Sequence, residues 1–576
     1  MNPSTACARA LLTELTRLGL REVAICPGSR SAPLAYAAAE LDRQGRLRMH
    51  VRVDERSAGF LALGLAKVSR RPAVIITTSG TAVANLHPAV LEAHHAQVPM
   101  IVLSADRPPE LRGTGANQTT VQPGLFGSSI RWSGELGTPE GRDGEDASWR
   151  STAARAWVGA MGIFTGHPGP VHLNVPFRDP LTPPLPGADD VEGKESAGAR
   201  ETSSPKVAVF EHPADRWATG SPLTLDERDT IAVIGDLPDD EARERALRWV
   251  RANRLPTVTE PMGDLAGPSD SPDTVLPHGS MILTATRWLD AHAPQRVIVI
   301  GRPTLTRSVG ALLRRPGLDV DVVTAEPEWT DPGHVATAVH PIRALQTEGK
   351  RELTPFASAW VDAGEQIARA LTANETIVTG PAIARAVSEA MPKGSTLFLG
   401  SSSAARDHHL GVARTPVGSR VIASRGLAGI DGCVSTAVGL ALSDPDTPTY
   451  ALVGDLTFVH DSGGLTIGPG EPTPDLTIVV VDDHGGGIFA TLEYGEPERA
   501  AHFDRVFATP SGVDIETLCR AHGYPCATVE GLDVLAREIA APPRGLKILR
   551  IPLDLSGRRA VSEDSRGKVA GALSAS

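Results

Sequence analysis

Residues 450–489 read YALVGDLTFVHDSGGLTIGPGEPTPDLTIVVVDDHGGGIF, two short apolar runs that each stop abruptly at glycine and aspartate. Tyr450–Val453 and Leu476–Val481 are short, β-branched and uninterrupted, the pattern of parallel strands buried on both faces of a sheet. Ligands of such sheets bind beyond the carboxyl ends of the strands. Those ends are Gly454-Asp455 and Asp482-Asp483-His484-Gly485-Gly486-Gly487, so carboxylates and bare backbone are predicted to meet in one crevice. Carboxylate oxygens suit a hard cation, and Mg²⁺ is commonly held by one or two carboxylates together with substrate phosphates. The backbone N–H groups of Gly454, Leu456 and Thr457 are then placed to cradle a diphosphate. Asp is equally favoured at helix N-caps, and taken alone Asp455 and Asp483 also read as turn residues.

The same order of strand, glycine turn, helix, proline and strand recurs in residues 73–107 and 230–260. Upstream, Glu22–Cys26 precedes PGSRSAPL, Met49–Val53 precedes DERSAGFLALGLAK, Ala73–Thr77 precedes TSGTAVANL, and Met100–Ser104 precedes ADRPPELRG. This alternation predicts an α/β chain built from mostly parallel sheets flanked by helices. Three domains are expected: residues 1–185, then 207–350 after a Gly-, Ser- and charge-rich linker at 186–206, then 351–576. Glu135–Ser148 has little to bury and reads as an exposed loop. Gly235-Asp236 repeats the Gly-Asp pair, but the next strand, Thr257–Glu260, runs into PMGD without a glycine run; Asp236 therefore reads as a cap or surface acid.

At 576 residues the chain exceeds one core, since domains run to about 100–200 residues. Hydrophobic residues at 41% and charged residues at 22% fit a globular protein, and the net charge of −12 opposes binding to nucleic acid or anionic membranes. Five scattered cysteines predict free thiols in a reducing cytoplasm. The apolar residues near the N-terminus recur at helical spacing, predicting an amphipathic helix capped near Ser4 or Thr5 rather than a targeting segment. No apolar run reaches the ~18 residues of a membrane span.

The Gly454-Asp455 pair, with Asp483 placed 28 residues after the first acid, resembles the diphosphate motif of thiamine-diphosphate (ThDP) enzymes, whose second metal ligand is usually Asn. Glu55, at a strand end before a helix, has the bland reading of a dipole-favoured acid; the resemblance instead makes it the carboxyl group that hydrogen-bonds the cofactor's pyrimidine and promotes proton removal from its thiazolium carbon. Ser79 and Gly80 resemble the pyrimidine-side loop. CPGSRSAPL (26–34), DERSAGFLALGLAK (54–67), TTSGTAVANLHPAVLEA (77–93), ADRPPELRGTGANQT (105–119) and SRGLAGIDG (424–432) together resemble the 2-succinyl-5-enolpyruvyl-6-hydroxy-3-cyclohexene-1-carboxylate (SEPHCHC) synthases of menaquinone biosynthesis.

That resemblance implies ThDP and Mg²⁺ or Mn²⁺ as cofactors, 2-oxoglutarate and isochorismate as substrates, and a homodimer or homotetramer whose active site draws on two subunits. It assigns the metal to Asp455, Asp483 and Gly485, and the cofactor to Glu55, Ser79, Gly80, Gly454, Leu456, Thr457, Ile488 and Phe489, with Ile430 as a wedge beneath it. Both substrates are dianions, for which arginine forks are suited; Ser29, Arg30, Arg107, Gln118, Ser402, Arg406 and Arg425 are implied as their ligands, with Arg302 or Arg307 as a further cation. Arg107 has a competing use as a simple partner of Asp106. Two other readings stand beside this one. Another ThDP-dependent 2-oxoacid decarboxylase or carboligase, such as an acetohydroxyacid synthase, would favour singly charged oxoacids and so would not need four arginines. A silent cofactor-binding regulator would not need Glu55 and both acids.

Overall fold

The structure, a computed structural model, describes residues 1–184, 221–263, 273–347, 349–372 and 377–574; the expected linker at 186–206 lies outside them. Three wholly parallel sheets are formed. The first comprises β1 (Glu22–Ile25), β2 (Arg48–Val51), β3 (Ala73–Thr77), β4 (Met100–Asp106), β5 (Trp132–Glu135) and β6 (Pro170–Pro176), in the order β2-β1-β3-β4-β6-β5. The second contains β7 (Thr230–Ile234), β8 (Thr257–Thr259), β9 (Arg296–Ile300), β10 (Asp319–Thr324) and β11 (Ala338–Pro341), ordered β11-β10-β9-β7-β8. The third has β12 (Thr396–Leu399), β13 (Arg420–Ala423), β14 (Thr449–Gly454), β15 (Leu476–Asp482), β16 (Cys526–Thr528) and β17 (Leu546–Pro552), ordered β13-β12-β14-β15-β17-β16. The first and third sheets repeat one topology, with the switch point between β1 and β3 and between β12 and β14. No described helix is long and apolar enough to cross a membrane.

The chain divides into two compact units: Met1–Asp215 with Val434–Asp444 and Asp461–Thr473, and Arg216–Cys433 with Pro445–His460 and Pro474–Ser576. Two stretches of the 351–576 region thus fold with the N-terminal sheet. The reason is steric. Gly64 of helix Glu55–Ser69 and Gly439 of helix Cys433–Ser443 let the two backbones touch: a Cβ on Gly64 would stand 2.2 Å from Thr436 O, and one on Gly439 2.3 Å from Leu61 O. Asp461 then accepts from Ser435 N at 2.7 Å, and Glu471 accepts from Val51 N at 2.7 Å.

Two expectations are corrected. The first helix spans Pro3–Leu18 and is capped by Asn2, which accepts from Thr5 N at 2.8 Å; Ser4 is not the cap because its hydroxyl donates to Arg178 O. The loop expected over 135–148 begins on the edge strand β5 and ends inside helix Glu145–Met161, whose first-turn acids complement the helix dipole. An edge strand paired on one side only needs no continuous apolar run, which is why composition missed it.

Candidate functional site

Beyond β14, Gly454 leads into Asp455, the first residue of helix Asp455–His460. A Cβ on Gly454 would meet nothing within 4 Å, so open space stands in front of this backbone. Asp455 is buried, and its carboxyl is pushed up to about 7 by burial and then by the neighbouring Asp483 and Asp482, against backbone N–H groups of Leu456 and Gly485. Asp483 is likewise buried and raised, chiefly by burial, with Arg558 opposing. Arg558, from helix Gly557–Ser574, ion-pairs with Asp483 and donates to Asp407 at 2.9 Å. Asp482 is committed elsewhere, to Arg550 at 2.6 Å. The glycine run is dictated by crowding: a Cβ on Gly485 would stand 2.3 Å from Ala508 O, and one on Gly487 2.0 Å from Asp483 Oδ2. Two buried acids that repel each other beside open backbone fit a divalent cation bearing a diphosphate; among the described residues no third acidic, His or Cys ligand joins them, which leaves room for diphosphate oxygens.

In the same unit a cavity of about 530 Å³ is lined by Arg307, Arg406, Arg558 and Ile488. Arg406 is held on Ser402 O at 2.8 Å, and its guanidinium is lowered from its ordinary value by burial and then by repulsion from Arg425 and Arg307. Arg425 is buried and donates to Thr304 O at 2.7 Å and Thr304 Oγ1 at 3.1 Å. Arg425 and Arg307 thus lie near enough to Arg406 to repel it, while the exposed Arg307 also pairs with Glu493 at 3.4 Å. Arg302 is not among them; it pairs with Asp236 at 3.3 Å, so Asp236 is an ion-pair partner and not a cap. Ile430 is half-buried after the left-handed Ala428 (φ 59°). Thr457 is buried and Leu456 half-buried, while Phe489 packs against Phe507 and Tyr494 with ring centroids at 5.7 and 6.3 Å.

In the other unit Arg107, Ser79 and Gln118 meet: Ser79 Oγ donates to Gln118 O at 2.9 Å, and Arg107 Nη1 donates to Ser79 Oγ and to Gln118 O. Arg107 is lowered by burial and then by Arg30, so these two cations are also neighbours. Arg107 also stays tied to Asp106 through its backbone, Arg107 N donating to Asp106 Oδ1 at 2.7 Å, while Asp106 Oδ2 takes Arg112 at 2.8 Å and Asn174 at 2.9 Å. Arg30 donates to Phe177 O at 2.8 Å and keeps its buried Nε without a partner; Ser29 beside it is exposed. Gly80 N donates to Gln122 at 3.0 Å. Glu55 opens helix Glu55–Ser69 under the Asp54 cap and lies near Cys26, whose thiol is pushed up by burial and then by Glu55.

Residues 5–125 match the family model "Thiamine pyrophosphate enzyme, N-terminal TPP binding domain", and residues 400–541 match "Thiamine pyrophosphate enzyme, C-terminal TPP binding domain". SEPHCHC synthase of Nocardia farcinica is 44% identical over 99% of this chain and all of that protein; that of Kineococcus radiotolerans is 45% identical over 96% of both. The chain belongs to the SEPHCHC synthase family. The fold also matches a crystal structure of benzoylformate decarboxylase from Polynucleobacter necessarius, with a TM-score of 0.66 at 18% identity, covering 96% of this chain and 99% of that one.

For a SEPHCHC synthase family member, the residues that sequence reading missed are those acting behind the motifs: Arg558 and Asp407 behind Asp483, Gln122 behind Gly80, and Arg112 behind Asp106. Arg558 lies 75 residues after Asp483, outside any motif, so no local signal marks it. Four non-glycine residues of these loops hold positive φ: Gln118 (52°), Ser402 (78°), Ala428 (59°) and His484 (60°). Backbone of this kind is costly and gathers at functional sites.

Proposed function

We propose that this chain performs the synthase reaction itself: 2-oxoglutarate loses CO₂ and the remaining four-carbon unit is added to isochorismate, giving SEPHCHC. The observation that carries this reading is that Arg307 and Arg406 line one cavity with Gly487 and Ile488 of the glycine loop after Asp483, with Arg425 close to Arg406, since both substrates are dianions and arginine binds carboxylates bidentately. ThDP, when bound, supplies the nucleophilic carbon and the electron sink for this chemistry.

The chain's residues do the rest. Asp455, Asp483 and the Gly485 backbone would hold Mg²⁺ or Mn²⁺, and the amides of Gly454, Leu456 and Thr457 would take the diphosphate. Glu55 would accept a hydrogen bond from the pyrimidine ring, with Ser79 and Gly80 alongside it. Ile430, Ile488 and Phe489 would form the apolar walls that exclude water. Arg30 and Arg107, with Ser29 and Gln118, and Arg406 and Arg425, with Ser402, would orient substrate carboxylates so that the acceptor is met before a proton. Because Glu55 and Asp455 belong to different units, a homodimer or homotetramer assembling the site from two copies fits this reading, as does a cytoplasmic location for a chain with five free thiols.

The test is direct. Purified protein with ThDP, Mg²⁺ and 2-oxoglutarate is followed for CO₂ release and for isochorismate absorbance, with and without isochorismate. Loss of isochorismate coupled to CO₂ is expected. CO₂ release without consumption of isochorismate would make the chain a simple decarboxylase, and no turnover at all would leave the regulator reading.

A further inference from the structure

Glu260 follows β8 and is 1% exposed. Its two oxygens accept three successive backbone N–H groups, Thr304 at 2.8 Å, Leu305 at 2.7 Å and Thr306 at 3.1 Å, at the turn that opens helix Arg307–Leu313. A buried carboxylate is costly unless it is hydrogen-bonded and charge-compensated, and here the three backbone N–H groups and the nearby Arg425 act against the burial that raises its pKa. Thr304 is the link. Its N–H donates to Glu260, while its carbonyl and hydroxyl oxygens accept from Arg425 at 2.7 and 3.1 Å. Three residues further on, Arg307 enters the cavity wall with Arg406.

We infer that Glu260 is a positioning residue for substrate recognition: it pins the 304–306 turn so that Thr304 fixes Arg425 and Arg307 faces the cavity, readying both cations for the carboxylates of a dianionic substrate. This rests on the arginine cluster being the substrate clamp. It gives the middle sheet a task in the reaction, since Glu260 and Thr304 come from the loops that follow β8 and β9, and Arg307 opens the helix after β9. Glu260 also attracts Arg425 and Arg406 from behind the turn, which lowers the cost of keeping these two cations together.

The experiment compares Glu260→Gln, Thr304→Val, Arg425→Ala and the double variant Glu260→Gln/Arg425→Ala. The glutamine keeps the size but loses the charge and turns one oxygen acceptor into a donor facing an N–H group. KM for 2-oxoglutarate and for isochorismate, kcat, and ThDP affinity at fixed Mg²⁺ without substrate are measured for each. Glu260→Gln is expected to raise, by roughly tenfold, KM for the same substrate that Arg425→Ala affects, with kcat and ThDP affinity changed far less and no further rise in the double variant. Thr304→Val, which removes only the hydroxyl acceptor, should give a smaller rise for that substrate. Unchanged KM in Glu260→Gln beside a raised KM in Arg425→Ala overturns the inference, as does a full multiplication of effects in the double variant or an equal loss of ThDP affinity. If Glu260→Gln does not fold, an unchanged KM in Thr304→Val overturns it. If Arg425→Ala leaves both KM values unchanged, the substrate-clamp reading itself falls and the positioning role falls with it.

Discussion

Asp483 brings an ionisable carboxyl where ThDP enzymes usually place Asn, and the chain sets Arg558 against it. Arg558 is held protonated by Asp407 and Asp483 despite its burial, so the additional charge is neutralised from the C-terminal helix. Asp483→Asn keeps a carbonyl oxygen for the metal and removes repulsion toward the diphosphate, but loses attraction for the cation. We expect it to retain ThDP binding with a shifted Mg²⁺ midpoint, whereas Asp455→Ala and Asp483→Ala lose metal-dependent binding. ThDP affinity measured across a Mg²⁺ titration separates these cases; wild-type behaviour of Asp483→Ala would reduce Asp483 to a turn residue. At Glu55 the expectation is a split between binding and rate: Glu55→Gln should bind ThDP nearly as wild type while turnover falls by about 10²-fold or more, the usual worth of a positioned proton-transfer group. Calorimetric ThDP affinity alongside kcat checks it, and equal loss of both would make the residue a binding group only.

At the scale of elements, the decisive packing is between helix Glu55–Ser69 and helix Cys433–Ser443. Gly64 and Gly439 permit a backbone approach that any side chain would block, with Thr436 O 2.2 Å from the place of a Gly64 Cβ. Gly64→Ala should therefore destabilise the protein by at least ~2 kcal/mol, toward the upper end for overpacking, because backbone and not a flexible side chain must yield. A denaturant midpoint unchanged from wild type would show that the helices can separate at little cost. The elements themselves were largely legible: β3 and β7 coincide with the expected runs Ala73–Thr77 and Thr230–Ile234, and β14 and β15 differ from expectation by a residue or two at their ends. Their both-face burial writes an apolar run into the sequence. The edge strand β5 escaped, since half of its residues face outward and leave no such run.

Across the molecule, four buried histidines among the described residues are held below their ordinary value and so stay neutral. Burial lowers His172, His278 and His409 to about 4 and His408 to about 3, and both ring nitrogens of His408 lack a partner. Their folded-state values lie below the unfolded value near 6.5, so the unfolded chain binds more protons between these limits. The stability they contribute is full above about pH 6.5 and is lost as pH falls toward 4, on the order of 1–2 kcal/mol per residue by pH 5. Asp461, raised to about 6 chiefly by burial, has the opposite sign: its contribution is present below its unfolded value near 3.8 and is lost as pH rises through 6. Urea midpoints at pH 7 and pH 5 should show net acid destabilisation, and His408→Leu should shrink the difference; an unchanged difference would place His408 outside the titrating set. The assembly gives a further prediction. If two copies complete each site, activity per chain should fall on dilution in step with dissociation seen by sedimentation, and a fully active monomer would rule the arrangement out.

Strand burial and turn chemistry act over a few residues, so the parallel α/β class, the motif loops beyond the strand ends and the types of group they present are legible along the chain. How those groups are used emerges only in the fold. That Arg107 turns to Ser79 and Gln118 while Arg112 takes Asp106, that Arg302 is spent on Asp236 while Arg307 reaches the cavity, and that Glu260 and Arg558 stand behind the loops from distant segments are set by the partners the fold brings within reach. A buried ion must find its partner wherever the fold brings one, and the distance along the chain to that partner leaves no periodic trace.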